Sequence, residues 1–190
     1  PTALGGASVT FDGIPAPLIF TSSGQINLQV PYEVAGKGST LVTVTNQGVR
    51  GEPVAVPVIG VQPGLFTANG SGAGQVSAIN AADGTINSPA NPAAKGAYVT
   101  LYATGAGAVD PAVPTGKPAP ADPFSCAQSV TVTIAGREAP VYLCGVMAPG
   151  FVGLLQVSAQ VPPDIPSGSV PVTLSIAGRA SPNATSLSVR

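Results

Sequence analysis

Two cysteines, Cys126 and Cys144, are the residues whose type and spacing point most directly to chemistry. They flank a turn centred near Gly136. Pairing of strands around that turn brings the segment before Ser129 towards the end of a Val141–Cys144 strand, within reach of a disulfide. An oxidised Cys126–Cys144 bridge is the expected state. Two buried free thiols are the alternative. Zinc held by these two ligands is disfavoured because the chain contains no histidine.

The same lack removes the commonest general base, so no Ser-His-Asp or Cys-His arrangement can be built. The carboxylates Asp12, Asp83, Asp110, Asp122, Asp164, Glu33, Glu52 and Glu138 are scattered, with no ligand-dense loop for calcium. Asp12 is accounted for by an Asp12-Gly13 turn, a favoured hairpin pair. Gly105-Ala-Gly107 follows a strand pattern but opens no helix or lysine-bearing motif, so it is no phosphate loop. We expect no catalytic, cofactor-binding or metal site, and the chain does not read as an enzyme. Asn69-Gly-Ser71 and Asn183-Ala-Thr185 match the N-glycosylation triplet, with unmodified loop residues as the plainer reading. Tyr98 and Tyr102 could offer a sugar-stacking platform, whereas Phe11, Phe20, Tyr142 and Phe151 fall in strand patterns and read as core.

Composition narrows the setting. Charged residues are 8% of the 190, and seven bases against eight acids leave a net charge of -1. That excludes a basic field for nucleic acid or an anionic membrane. No apolar run reaches the ~20 residues of a membrane-spanning helix, so no membrane insertion is expected. Apolar residues reach 44%, enough for a packed core. A surface of Ser, Thr, Asn, Gln and Gly suits an extracellular or cell-surface protein. The opening at Pro1 reads as a processed or trimmed chain.

The elements that carry these residues are strands. Val130, Val132 and Ile134 alternate along Ser129–Ala135, and a Gly136-Arg137-Glu138 turn leads to Ala139–Gly145. Ser169–Ile176, Ser186–Val189, Ser8–Phe11 and Pro17–Phe20 alternate likewise, and Gly (24) and Pro (21) punctuate the runs. An internal repeat overlies them. Val9–Phe20 matches Val132–Leu143, Gly24–Pro31 matches Leu155–Pro162, and Leu41–Gly48 matches the segment ending at Gly178. A period on the order of 100 residues means duplicated domains rather than a solenoid.

The fold class expected is therefore all-β, two immunoglobulin-like sandwiches in tandem over 1–60 and 61–190, with a short linker near Gly60 to Pro63. About five strands are expected in the first and seven or eight in the second. The core should include Val9, Phe11, Leu18, Phe20, Ile26, Leu28, Val42, Val44, Val132, Ile134, Val157 and Leu174. The second copy carries Gly74–Asn80 and Gly96–Gly105 before its repeat, whereas only Pro1–Ala7 precede the first, so the first domain is expected to lack its opening strand.

Several motifs also resemble the uncharacterised C-terminal domain family of Solibacter-type acidobacterial secreted proteins. They are residues 9–17, Gln25–Pro31, Pro63–Phe66, Asn87–Pro92, Val99–Pro111 and Ala148–Gly153. The resemblance implies secretion and Ig-like sandwiches at the end of long exported proteins. It implies no chemistry.

The functional expectation is a subunit of an extracellular filament or surface layer. Copies of the chain would be its partners, joined by exchange of a strand, with Pro1–Ala7 or Thr185–Arg190 as donor. The alternatives are a secreted adhesion module for a surface glycan or protein, and a passive spacer of a larger exported protein.

Overall fold

Period-two alternation does produce strands, and four short turns set how they fold back. A computed structural model describes residues 1–110, 112–118, 124–126, 128–146, 153–182 and 184–190, with only the backbone considered at 124–126 and 146. Asp12-Gly13, Gln47-Gly48, Ala135-Gly136 and Ala177-Gly178 each place two successive residues at positive φ. Such pairs match the right-handed twist of the strands they join. The first and third turns are equivalent in the repeat, as are the second and fourth. Among the described residues the helical content is one 3-10 turn, Tyr32–Val34.

In the first 60 residues, Ala7–Phe11 pairs antiparallel with Ser39–Asn46. Ala3–Leu4 and Ile14–Pro15 lie along one side of that pair, and Val49–Arg50 and Val54–Pro57 along the other. The facing layer is only the hairpin of Leu18–Thr21 with Ile26–Leu28. Between the layers sits a small core of Val9, Phe11, Ala16, Leu18 and Val34.

The second part repeats this plan and enlarges it. Val130–Ile134 pairs with Gly168–Ile176, and Gly168–Ile176 pairs with Thr185–Val189, to which Gly74–Gln75 adds in parallel. Opposite lies a sheet ordered Ala78–Asn80, Tyr98–Thr104, Leu155–Gln160, Val141–Val146, Phe124–Cys126 and Val109–Asp110. One core joins both sheets and includes Leu101, Val132, Ile134, Val157, Leu174, Ile176 and Leu187, all fully buried.

Three expectations need correcting. The Ser129–Ala135 hairpin does not run on to Gly145: its returning arm ends at Ala139, and after Pro140 the chain crosses to the other sheet. Pro140 has no N–H to continue the ladder. Phe20 and Val44, expected in the core, are 47% and 41% exposed. For Phe20 the cause is a register shift between Leu18 and Phe20, a bulge that breaks the alternation and turns Phe20 outward. The same shift lies between Val141 and Leu143, so both copies share the device. Strand numbers also exceed the expectation, with eight in residues 1–57, because two-residue pieces flank the long ones.

The linker is held by glycine. Gly105 and Gly107, both at positive φ, lie so close to the backbone of Gln62 and Gly60 that a Cβ would collide with those carbonyls. Gln62 N donates to Gly105 O at 2.9 Å. A second tie comes from the loop at Thr115–Gly116. Tyr32 N donates to Thr115 Oγ1 (3.0 Å), the Thr115 hydroxyl to Glu33 (2.7 Å), and Gly116 N to Gln29 Oε1 (3.0 Å).

Candidate functional site

The residues that could do chemistry are dispersed by the fold and locally employed. Asp12 Oδ1 accepts from Leu41 N at 2.8 Å and Oδ2 from Lys37 Nζ at 2.7 Å. The Leu41 amide first, and the Lys37 ammonium after it, lower its carboxyl pKa to about 2. Asp83 accepts from Thr85 N and Oγ1 in a tight turn, which lowers its pKa. Glu33 is lowered chiefly by the Thr115 hydroxyl, and Asp164 faces Arg137 at 3.3 Å. Among the described residues no three His, Cys, Asp or Glu groups gather to hold a metal ion.

Cys126 and Cys144 belong to neighbouring strands of one sheet. Phe124 pairs with Val146 and Ser125 with Gly145, so the next step of that register sets Cys126 opposite Cys144. The route differs from the expected hairpin, since the intervening strands lie in the other sheet. The Cys126 side chain, and with it the bridge, lies outside the described residues, as does Asn183. Asn69 is in an exposed turn, where its Oδ1 accepts from Ser71 N and Oγ.

The feature that sets the two copies apart is an unfilled face in the first. In the second copy Leu155–Gln160 has a strand on each side: Val141–Val146 on one and Tyr98–Thr104 on the other. Val99, Leu101 and Ala103 of the latter are fully buried. The equivalent of Leu155–Gln160 is Ile26–Leu28, which pairs with Leu18–Thr21 alone. Its outer edge keeps backbone donors and acceptors without a ladder partner.

Exposure follows the same division. Val30 is 51% exposed, but its counterpart Val161 is 0% exposed. Val44 has Leu174 as counterpart, also at 0%. Matching the ladders of Ser39–Asn46 and Gly168–Ile176 makes Leu187 the counterpart of Val56, and it too is buried while Val56 is exposed. Nine large apolar side chains are exposed in residues 1–59, from Ile19 to Ile59. Between the layers a cleft of about 700 Å³ opens, lined by Ala7, Thr21, Ile26, Val44 and Asn46 among others, with no ionisable side chain. In size it matches ligand clefts. In chemistry it suits an uncharged occupant.

The repeat in the sequence already showed that Gly96–Gly105 has no counterpart within residues 1–60. It gave no warning about Val54 and Val56, although their alternation is itself a strand signal. The two segments proposed as donors are both paired within their own chain. Ala3–Leu4 pairs with Ala7–Ser8, and Thr185–Val189 sits in the second copy's sheet with Leu187 and Val189 buried.

Compared with protein-family models and with curated proteins, the chain matches none.

Proposed function

We propose that the chain is a structural subunit of an extracellular filament or surface assembly. In this reading it comprises two immunoglobulin-like sandwiches, 1–60 and 61–190, the first completed by a strand from a neighbouring copy. The observation that carries it is the contrast between equivalent positions: Val30, Val44 and Val56 are open where Val161, Leu174 and Leu187 are buried. A domain of about 60 residues has a small core even when complete. An added strand would cover the apolar face, at about 25 cal/mol per Å² removed from water. It would also pair the edge of Ile26–Leu28. The contact is heterologous, and with a rotation between copies that does not close, its repetition extends a fibre.

Exchange between copies needs a segment that can leave its own chain. Pro1–Leu4 makes two register pairs and accepts from Leu18 N and Thr21 Oγ1, and its Ala3 is exposed. Thr185–Val189 would have to unbury Leu187 and Val189. Pro1–Leu4 is the donor this reading favours. Low charge, the opposed positions of Cys126 and Cys144, and the secretion implied by the Solibacter-type resemblance support an exported setting. A Cys126–Cys144 bridge is part of the proposal. It closes a loop of about 19 residues, and reduction should cost roughly 3 kcal/mol.

Electron microscopy and light scattering over a concentration series test the assembly. Fibres are expected, and Val44→Asp, which sets a carboxylate in the cleft, should abolish them. A synthetic peptide of residues 97–105, the strand that fills this place in the second copy, should cap the acceptor and block growth. A monodisperse monomer at high concentration, with the amides of residues 7–46 protected from exchange, overturns the proposal.

A further inference from the structure

The second part has its own exposed apolar surface, and it is confined to one face. Of its five exposed large apolar side chains among the described residues, Ile86, Tyr98, Tyr142 and Leu143 belong to the strands or bridges of the sheet containing Tyr98–Thr104, and Phe66 directly follows that sheet's Gly64–Leu65 strand. Val99, Leu101 and Ala103 point into the core, so Tyr98, Thr100 and Tyr102 point outward. Register carries the same assignment across the sheet. Ile86 pairs with Ile79, Ile79 with Thr100, Thr100 with Ser158, and Ser158 with Leu143. These five form a straight row of about 19 Å at the usual spacing of strands.

Aromatic rings flank that row on both sides. On one, Tyr98 and Tyr142 meet edge to face across the intervening strand, with ring centres 6.0 Å apart. On the other, Tyr102 is joined by Phe66, whose N–H donates to Tyr102 O at 3.0 Å. Tyr98 and Tyr102 are four residues apart, about 13 Å along the strand. The polar groups between them are hydroxyls and carboxamides: Thr100 and Ser158, hydrogen-bonded at 3.1 Å, with Gln156 and Gln160. No charged residue occurs in Ala78–Asn80, Tyr98–Thr104, Val141–Val146 or Leu155–Gln160.

We propose that this face binds a neutral, extended polysaccharide lying across the strands, between the Tyr98/Tyr142 and Tyr102/Phe66 ridges. Each part of the surface matches one part of such a ligand. Aromatic rings take the apolar C–H faces of sugar rings, and groups that both donate and accept match sugar hydroxyls. A face whose strands carry no cation, and only the Asp110 carboxylate at the far edge of the sheet, gives no attraction to an anionic polymer. The flatness of a sheet face suits a chain of sugars more than a single one. An exposed apolar patch concentrated on one face is also what marks an interaction surface on a soluble domain.

Affinity electrophoresis of the full chain through gels containing soluble β-glucan, mannan or xylan tests this, with polygalacturonate as the anionic control. Retardation by at least one neutral polymer and not by polygalacturonate is expected. Tyr98→Ala and Tyr142→Ala should each weaken it tenfold or more at an unchanged melting temperature, and Tyr98→Phe should retain it. No retardation by any neutral polymer overturns the proposal, as does retardation indifferent to both alanine variants. A dimer in solution that Tyr142→Ala dissociates would assign the face to a second copy and overturn it equally. The first sandwich takes no part, so Val44→Asp should leave retardation unchanged.

Discussion

Asn87 shows how one side chain can fix a long segment in place. It is 1% exposed, and its carboxamide makes four hydrogen bonds, the full set open to an Asn. Nδ2 donates to Asn80 Oδ1 and Ser188 O, and Oδ1 accepts from Ser188 N and Gln75 Nε2. The loop between Asn80 and Tyr98 is thereby joined to the C-terminal strand. Asn87→Ala would leave those partners buried and unpaired, costing about 3 kcal/mol. Urea unfolding should show the fall in midpoint, and Asn87→Asp should be worse at neutral pH because two donors become repelled acceptors. Asp12 works at the surface instead. Its folded pKa of about 2 lies below its ordinary value, so its contribution is present above about pH 4. It is lost as pH falls towards 2. Asp12→Asn, which tolerates the positive φ and keeps an acceptor for Leu41 N, should flatten the acid limb of the melting-temperature profile over that window.

At the scale of elements, the two pairs of equivalent turns do not use equally suited residues. Ala135 and Ala177 have φ of 52° and 50°, where an alanine Cβ crowds the following carbonyl. Ala177 is exposed and its turn joins Gly168–Ile176 to Arg179–Ala180. Ala177→Asn should therefore stabilise by about 0.5–1 kcal/mol, read as a rise in thermal midpoint. Gly105 tests the opposite case, since both its φ of +83° and the nearby Gln62 carbonyl exclude a side chain. Gly105→Ala should cost about 2–3 kcal/mol and make the linker sensitive to protease. Gly136→Ala isolates strain alone, because its φ is +76° and no atom lies near its Cβ position. It should cost only about 1 kcal/mol.

Across the whole molecule, stability should divide as the two cores do. Among the described residues, five form the buried core of the first part, against twenty-two in the second. Hydrogen exchange at low protein concentration should find amides of 7–46 opening well before those of 98–104 and 155–176. Addition of the peptide of residues 97–105 should narrow the difference. Equal protection of both parts without the peptide would mean that the first needs no completion.

The all-β class, the internal repeat and the lack of a counterpart to Gly96–Gly105 within residues 1–60 could be read from the chain alone. All three depend on local alternation and on comparing one stretch with another. Asp12-Gly13 was legible for the same reason: its turn is decided by two adjacent residues. Folding decided what depends on contacts between distant segments. The bulge after Leu18 turned Phe20 outward, and Pro140 sent Val141–Val146 to the opposite sheet. Gly105 and Gly107 proved to be seats for the linker backbone. Tyr142, read as core, instead met Tyr98 across an intervening strand. Alternation marks which side chains share a face of one strand. Which face is covered depends on the neighbouring strand and sheet, and that is fixed only when the chain packs.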